Sequence, residues 1–200
     1  MELPEGMSPA AHAPQGPLQT APQDEERQLK QELAQYICGT YGMRLPAAGA
    51  VVEAIDREVS KYEGISFGRI LSMAHGESSF NPGARSRKGA IGLLQIMPGT
   101  GKVIAQALGE PWKGSKSLYD LETNIRYGVW YYNFLLERYG SEKVALAAYN
   151  WGPGELDTRL AKSRAIPVQY AQKILRAERR LKRELSDGVE EFVWGSRDQG

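Results

Sequence analysis

Residues 66–98 read SFGRILSMAHGESSFNPGARSRKGAIGLLQIMP. The first part has a helical pattern, with Phe67, Ile70, Leu71 and Ala74 on one face. Glu77 lies seven residues after Ile70 and three after Ala74, so it falls on the same apolar stripe, at the helix end. An ionised carboxylate is costly there. Either the side chain bends out to water, or it stays sheltered with a raised pKa and can serve as a general acid. Ser78, Ser79 and Asn81 add polar groups where the helix gives out. From Asn81 the pattern changes to Asn-Pro, Gly83, Gly89 and Gly92, then the short run Leu93 to Met97. That predicts a loop with a small β-hairpin or extended turn, not a domain-scale sheet. Gln95 sits inside this apolar run and needs a partner, either backbone or a ligand.

Around this stretch the chain is mainly α. Helices are predicted from Asp24 to Gly39 (Leu29, Leu33, Ile37), from Pro46 to Gly64 (Val52, Ile55, Val59, Tyr62) and from Thr100 to Leu108. Further helices are predicted over Leu121–Tyr139 (Ile125, Val129, Tyr132, Leu136), from Ser141 to the break at Gly152-Pro153-Gly154, and over Pro167–Leu185 (Tyr170, Ile174, Ala177, Leu181). Residues 111–119 read as a loop holding Trp112. Tyr149, Asn150 and Trp151 end their helix beside the Gly-Pro-Gly break. Aromatic rings with polar neighbours at such a place suit sugar rings, although each also has a purely structural use. The predicted organisation is a disordered Pro/Ala-rich leader over 1–23, one helical domain over 24–185, and a frayed tail over 186–200.

Composition narrows the function. Of 200 residues, 42% are hydrophobic and 24% charged, and the formal net charge is +1, so no overall field favours nucleic acid. Cys38 stands alone, which excludes an intramolecular disulfide and a thiolate-rich zinc site, and with His12 and His75 as the only imidazoles a His-based metal site is close to excluded. No apolar run reaches the roughly 20 residues of a membrane-spanning helix, and Met1 to Ala21 shows no secretory signal. Lys173, Arg176, Arg179, Arg180, Lys182 and Arg183 crowd the last predicted helix. Interspersed Glu178 and Glu184 make that run read as a solvated face.

Three groups of residues together resemble a known family. Glu77-Ser-Ser-Phe-Asn-Pro82, with Ala84, Ser86, Gly89-Ala90, Gly92-Leu93, Gln95-Ile96-Met97-Pro98 and Thr100, is similar to the signature of the soluble lytic transglycosylase (SLT) family. Asn124-Ile125 with Gly128, and Ala147-Ala148-Tyr149-Asn150 with Gly152-Pro153-Gly154, look like its second and third motifs in order. The resemblance spans roughly residues 65–175. It implies a lysozyme-like, mainly α fold with a cleft for a peptidoglycan strand. It also implies cleavage of the β-1,4 bond between N-acetylmuramic acid and N-acetylglucosamine, leaving a 1,6-anhydromuramoyl end. Glu77 matches the family's acid/base, Ser86 the contact to the N-acetyl group, Gln95 and Met97 the hairpin side of the cleft, and Tyr149 and Asn150 the Tyr-Asn pair. Trp151 stands where a small residue is usual.

One convincing carboxylate, rather than the usual glycosidase pair, implies a route assisted by the substrate's own N-acetyl group. Asp120, Glu122, Glu155 and Asp157 read as caps or surface charges. Tyr149 is expected to hydrogen-bond Glu77. Arg85, Arg87 and Lys88 either attract wall carboxylates or form a solvated loop. The resemblance implies no cofactor. Its implied partners are peptidoglycan strands, in company with a secretion-system, cell-envelope or phage-virion assembly, and the expected location is extracytoplasmic by an open export route. A hydrolytic muramidase on the same fold, and a dormant wall-binding protein, stay open as alternatives.

Overall fold

The computed structural model describes residues 22–194. Among them run nine α-helices: α1 (Pro22–Tyr41), α2 (Leu45–Val59), α3 (Phe67–Ser78), α4 (Pro98–Ala107), α5 (Leu121–Tyr139), α6 (Glu142–Trp151), α7 (Pro153–Ala161), α8 (Gln169–Glu184) and α9 (Asp187–Trp194). A 3-10 turn covers Ser115–Tyr119, inside the segment predicted as loop. The mainly α reading holds. The expected hairpin is present as two antiparallel bridges, Arg85 with Ile91 and Ile91 with Ile96.

Helix α3 is central to the site. Ser66 caps its start, its hydroxyl accepting from the Arg69 N–H at 3.0 Å. Ile70, Leu71 and Ala74 of the predicted stripe are fully buried, and so is Met73. The helix stops because Ser79 and Phe80 both take left-handed backbone angles, φ 51° and 60°. That conformation costs a bulky residue such as Phe80 about 1–3 kcal/mol. Phe80 is 1% exposed and packs on Tyr41 (4.9 Å between ring centres) and His75 (6.1 Å). Burying such a ring contributes about 1.5–3 kcal/mol, enough to hold the turn. Tyr41 belongs to α1, so the N-terminal helix, outside the family resemblance, supports the break that follows Glu77.

Residues 91–96 are held by Asn124 of α5, which is 1% exposed. Its carboxamide accepts from Leu94 N–H (2.8 Å) and donates to the carbonyls of Ile91 (2.9 Å) and Leu118 (2.8 Å). Gly92, at φ 81°, is required there, because a Cβ would stand 2.2 Å from the Asn124 nitrogen. Gly128, one turn along α5, admits Leu94, whose Cδ1 would lie 2.3 Å from a Cβ at that position. The Asn124-Gly128 motif is therefore a clamp on the loop.

Several expected boundaries shift. The Gly-Pro-Gly segment breaks α6 as expected, but Pro153 then opens α7, since proline suits the first helical turn. Ser141 occupies the N-cap of α6 without a side-chain hydrogen bond. The frayed tail is corrected over Asp187–Trp194. That segment is α9, with Val189 and Val193 buried and Phe192 5.7 Å from Phe67. Residues 195–200 and the leader up to residue 21 lie outside the described residues; Pro22 and Gln23 begin α1.

Replacing Asn124 by alanine strands the buried Leu94 N–H and takes a donor from the Leu118 carbonyl, at about 1–3 kcal/mol each where water cannot reach them, while the Ile91 carbonyl keeps the Ile96 N–H at 2.9 Å. We expect Asn124→Ala to lose at least about 2 kcal/mol in urea unfolding. A loss under about 0.5 kcal/mol would remove the clamp.

Candidate active site

Glu77 lies in the last turn of α3, on its inner side and only partly exposed. Its neighbour Ser78 donates to the carbonyls of Ala74 (3.2 Å) and Leu93 (2.8 Å), pinning the helix end to the hairpin loop. Burial raises the Glu77 pKa above the ordinary carboxylate value; the Tyr170 hydroxyl and the Lys173 ammonium oppose that rise. No cation closes to salt-bridge distance on Glu77 among the described residues. By contrast Glu58, buried on α2, is paired with Lys61 at 2.7 Å.

The expected bond from Tyr149 to Glu77 is not made. The Tyr149 hydroxyl donates instead to the Leu94 carbonyl at 2.9 Å, spending its single proton on the loop. Tyr149 still bears on the site, because the Glu77 charge helps hold its phenol well above the usual tyrosine pKa, after burial itself. The phenol the sequence reading missed is Tyr170, from the start of α8. It is 5% exposed, its hydroxyl has no well-formed hydrogen bond, and its ring stacks at 6.3 Å and 12° on Tyr149. Burial and then the Glu77 charge raise its pKa well above the ordinary value. Tyr170 lies on the apolar stripe of α8, which is why its pattern reads as core. Only the packing of α8 on α3 reveals the free hydroxyl near the carboxylate.

The other predicted residues divide. Ser86 opens a tight turn in which its Oγ accepts from Ala90 N–H at 3.0 Å, so its own proton is not spent in that turn. Gln95, at φ 51°, uses its amide nitrogen on the Gly92 carbonyl (2.8 Å) and the Ala84 carbonyl (3.4 Å), so the amide nitrogen is given to backbone. Ser86 and Gln95 thus share one loop, joined by Gly92 N–H to Ala84 carbonyl at 2.9 Å. Met97 caps α4 and is half-exposed, and Asn150 is exposed. Trp151 is 43% exposed and carries the Arg159 guanidinium 4.5 Å over its ring, a pairing that the sequence does not announce. Arg85, Arg87 and Lys88 are exposed on the turn.

The rival carboxylates are structural. Asp120 caps α5 through Thr123 N–H (2.9 Å), and Glu122 pairs with Arg57. Glu155 pairs with Arg159 at 3.0 Å, and Asp157 with Arg138 at 2.7 Å. A concavity of about 770 Å³ lies at the opposite end of α3, lined by Tyr62, Ser66, Arg69, Glu142 and Trp194. None of the predicted site residues lines it; two of its three carboxylates, Glu142 and Glu178, are paired with Arg69 at 3.1 Å, and the third, Glu63, is exposed to water. The unpaired, sheltered acid is therefore at Glu77.

A helical fold with a short hairpin loop beside one sheltered glutamate is of the lysozyme-like class. Solved structures agree on the fold. The 70 kDa soluble lytic transglycosylase of Escherichia coli superposes with a TM-score of 0.61 at 24% identity, over 86% of this chain and 32% of that one. An inactive mutant of the lytic transglycosylase Slt from Pseudomonas aeruginosa gives 0.50 at 27% identity, over 70% and 22%. The transglycosylase SLT domain family profile matches residues 55–170, and the chain belongs to that family. The soluble lytic murein transglycosylase of Salmonella typhimurium is 39% identical over 101 residues, 50% of this chain and 16% of its own length. The membrane-bound lytic murein transglycosylase F of Shewanella pealeana is 32% identical over 134 residues, 58% and 26% respectively. The chain thus spans a minor part of these relatives. No described helix is long and apolar enough to cross a membrane.

The raised pKa has a stability consequence. A carboxyl that holds its proton more tightly when folded favours the fold below its unfolded value, 4.5, and loses that contribution as pH rises through the folded value. Glu77→Gln, which cannot ionise, should therefore melt higher than the wild type at pH 7. The gap should close as pH falls below about 4.5. A lower melting temperature for the variant at pH 7 would contradict the sheltered carboxyl.

Proposed function

We propose that this chain is a lytic transglycosylase acting on peptidoglycan glycan strands, with Glu77 as its single acid/base. The carrying observation is that, among the described residues, Glu77 is the carboxyl whose pKa burial raises, with no cation at salt-bridge distance to hold it ionised. Protonated Glu77 donates to the glycosidic oxygen between N-acetylmuramic acid and N-acetylglucosamine. The substrate's acetamido oxygen, oriented by the uncommitted Ser86 hydroxyl proton, supports the oxocarbenium-like centre. Glu77, now ionised, takes the proton of the C6 hydroxyl, which attacks the anomeric carbon and closes the 1,6-anhydro ring. That hydroxyl is tethered to the reacting sugar, so proximity favours it over water. Tyr170 tunes the cycle. Its hydroxyl, which has no other partner among the described residues, stabilises the ionised form of Glu77 and limits how far burial raises the pKa.

Family membership and the names of the relatives support the reaction class. The Pseudomonas aeruginosa neighbour is described as inactive with one glutamate replaced by glutamine. The substrate places the working enzyme outside the cytoplasm, in the cell wall or periplasm, with a secretion-system, cell-envelope or phage-virion assembly as the proposed setting.

Acid/base catalysis is worth about a hundred- to ten-thousand-fold. Glu77→Gln should lower release of muropeptides from sacculi by at least about a hundred-fold with the fold intact. Mass spectrometry of the wild-type products should show anhydro ends. Reducing ends would favour a hydrolytic muramidase instead, and no release by the wild type would favour a dormant wall-binding protein.

A further inference from the structure

The basic run on α8 has a definite place in the fold. At 100° per residue, Lys173, Arg176, Arg180 and Arg183 fall within about 80° of arc, away from the buried side of Ile174, Ala177 and Leu181. All four are exposed. The stripe begins at the candidate active site. The Lys173 side chain lies across the last turn of α3, its Cε 4.0 Å from where a Cβ on Gly76 would stand, one residue before Glu77. Its ammonium is 6.0 Å from the Tyr170 ring centre. The acid beside the stripe, Glu184, pairs with Arg180 at 2.9 Å and accepts from Tyr36. Glu178 is turned to the other flank by Arg69 (3.1 Å) and Lys182 (3.5 Å). Arg176 and Arg183 have no carboxylate partner among the described residues. In a chain of net charge +1, this is a local concentration of cations and not the edge of a general field.

Ten residues of helix span about 15 Å, the length of roughly four or five extended peptide residues at about 3.3 Å each. We propose that this stripe is a docking track for the anionic peptide stems of the glycan strand, leading away from the sugar whose bond Glu77 breaks, so that Arg176 and Arg183 select stem-bearing substrate. The inference rests on the proposed transglycosylase reading and adds a specificity surface to it. Each exposed cation contributes modestly and is screened by salt, so the effect belongs at low ionic strength.

The test compares the full chain with Arg176→Ser/Arg183→Ser on two substrates, stem-bearing glycan strands and the same strands stripped by an amidase. Neither residue contacts Glu77, Tyr170 or the hairpin loop, and an unchanged melting temperature controls for folding. The double variant should lose about five-fold in kcat/KM on stem-bearing strands and less than about two-fold on stripped ones. The wild-type preference for stems should fade as salt rises from about 10 mM to about 1 M, where the screening length drops from about 30 Å to about 3 Å. Equal loss on both substrates, or no loss on either, overturns the track while leaving the reaction in place. If the wild type converts neither substrate, the functional reading fails. The track is then read by fluorescence anisotropy of both labelled strands in the Glu77→Gln background, with the same contrast expected. A single-stranded oligonucleotide held more tightly than stem-bearing glycan, and released by the same double substitution, also overturns it.

Discussion

The structure is organised around the cost of keeping one carboxyl half out of water. Glu77 ends α3 on the face that the helix otherwise buries, and among the described residues no cation closes to salt-bridge distance on it. Other sheltered charges are matched by opposite ones. Lys30 reaches Asp56 at 2.6 Å and Glu26 at 3.0 Å, while Arg69 takes Glu142 and Glu178. Such pairing holds a carboxylate ionised. Without it, desolvation wins and the proton is retained to higher pH. The neighbours that moderate this, Tyr170 and Lys173, both come from α8, so the acidity of the site depends on how α8 lies against α3.

That packing is in turn secured from both sides. The left-handed turn at Ser79 and Phe80 frees the last turn of α3 from the following chain, and the ring cluster of Tyr41, His75 and Phe80 holds the turn. Burial, and after it the cation Arg180, keeps the His75 pKa below its ordinary value, so the cluster is packed around a neutral ring. On the other side Asn124 and Ser78 fasten the hairpin loop to α5 and to α3. The second sequence motif, Asn124 with Gly128, therefore serves to build the frame of the site. Tyr149, from the third, is bound to that frame by its bond to the Leu94 carbonyl.

Much of this is legible in the amino-acid sequence. The stripe Ile70, Ala74, Glu77 located the acid because helical spacing is local and the break at Asn81-Pro82 is written in the residues. The roles of Gln95 and Tyr149 were harder to read. A polar group in an apolar run announces a partner without naming it, and here the partners are backbone carbonyls of the same loop. Tyr170 was hidden because one phenol on an apolar stripe looks like any other core ring. Helices α7 and α9 were missed for different reasons. Gly-Pro-Gly punctuates one helix and starts the next, whereas α9 is short and gains its stability from contacts such as Phe192 on Phe67 that periodicity does not reveal. The basic face of α8 was visible as a run of charge, but its alignment with Glu77 is a property of the tertiary fold.

The most direct measurement is a carbon-13 titration of side-chain carboxyls in the intact chain, with the Glu77 resonance assigned by its absence in Glu77→Gln. A midpoint above the ordinary 4.5, rising further when Tyr170→Phe removes the hydroxyl that favours the ionised form, is the result the account predicts. A midpoint at or below 4.5, indifferent to Tyr170, would show a solvated acid and contradict it.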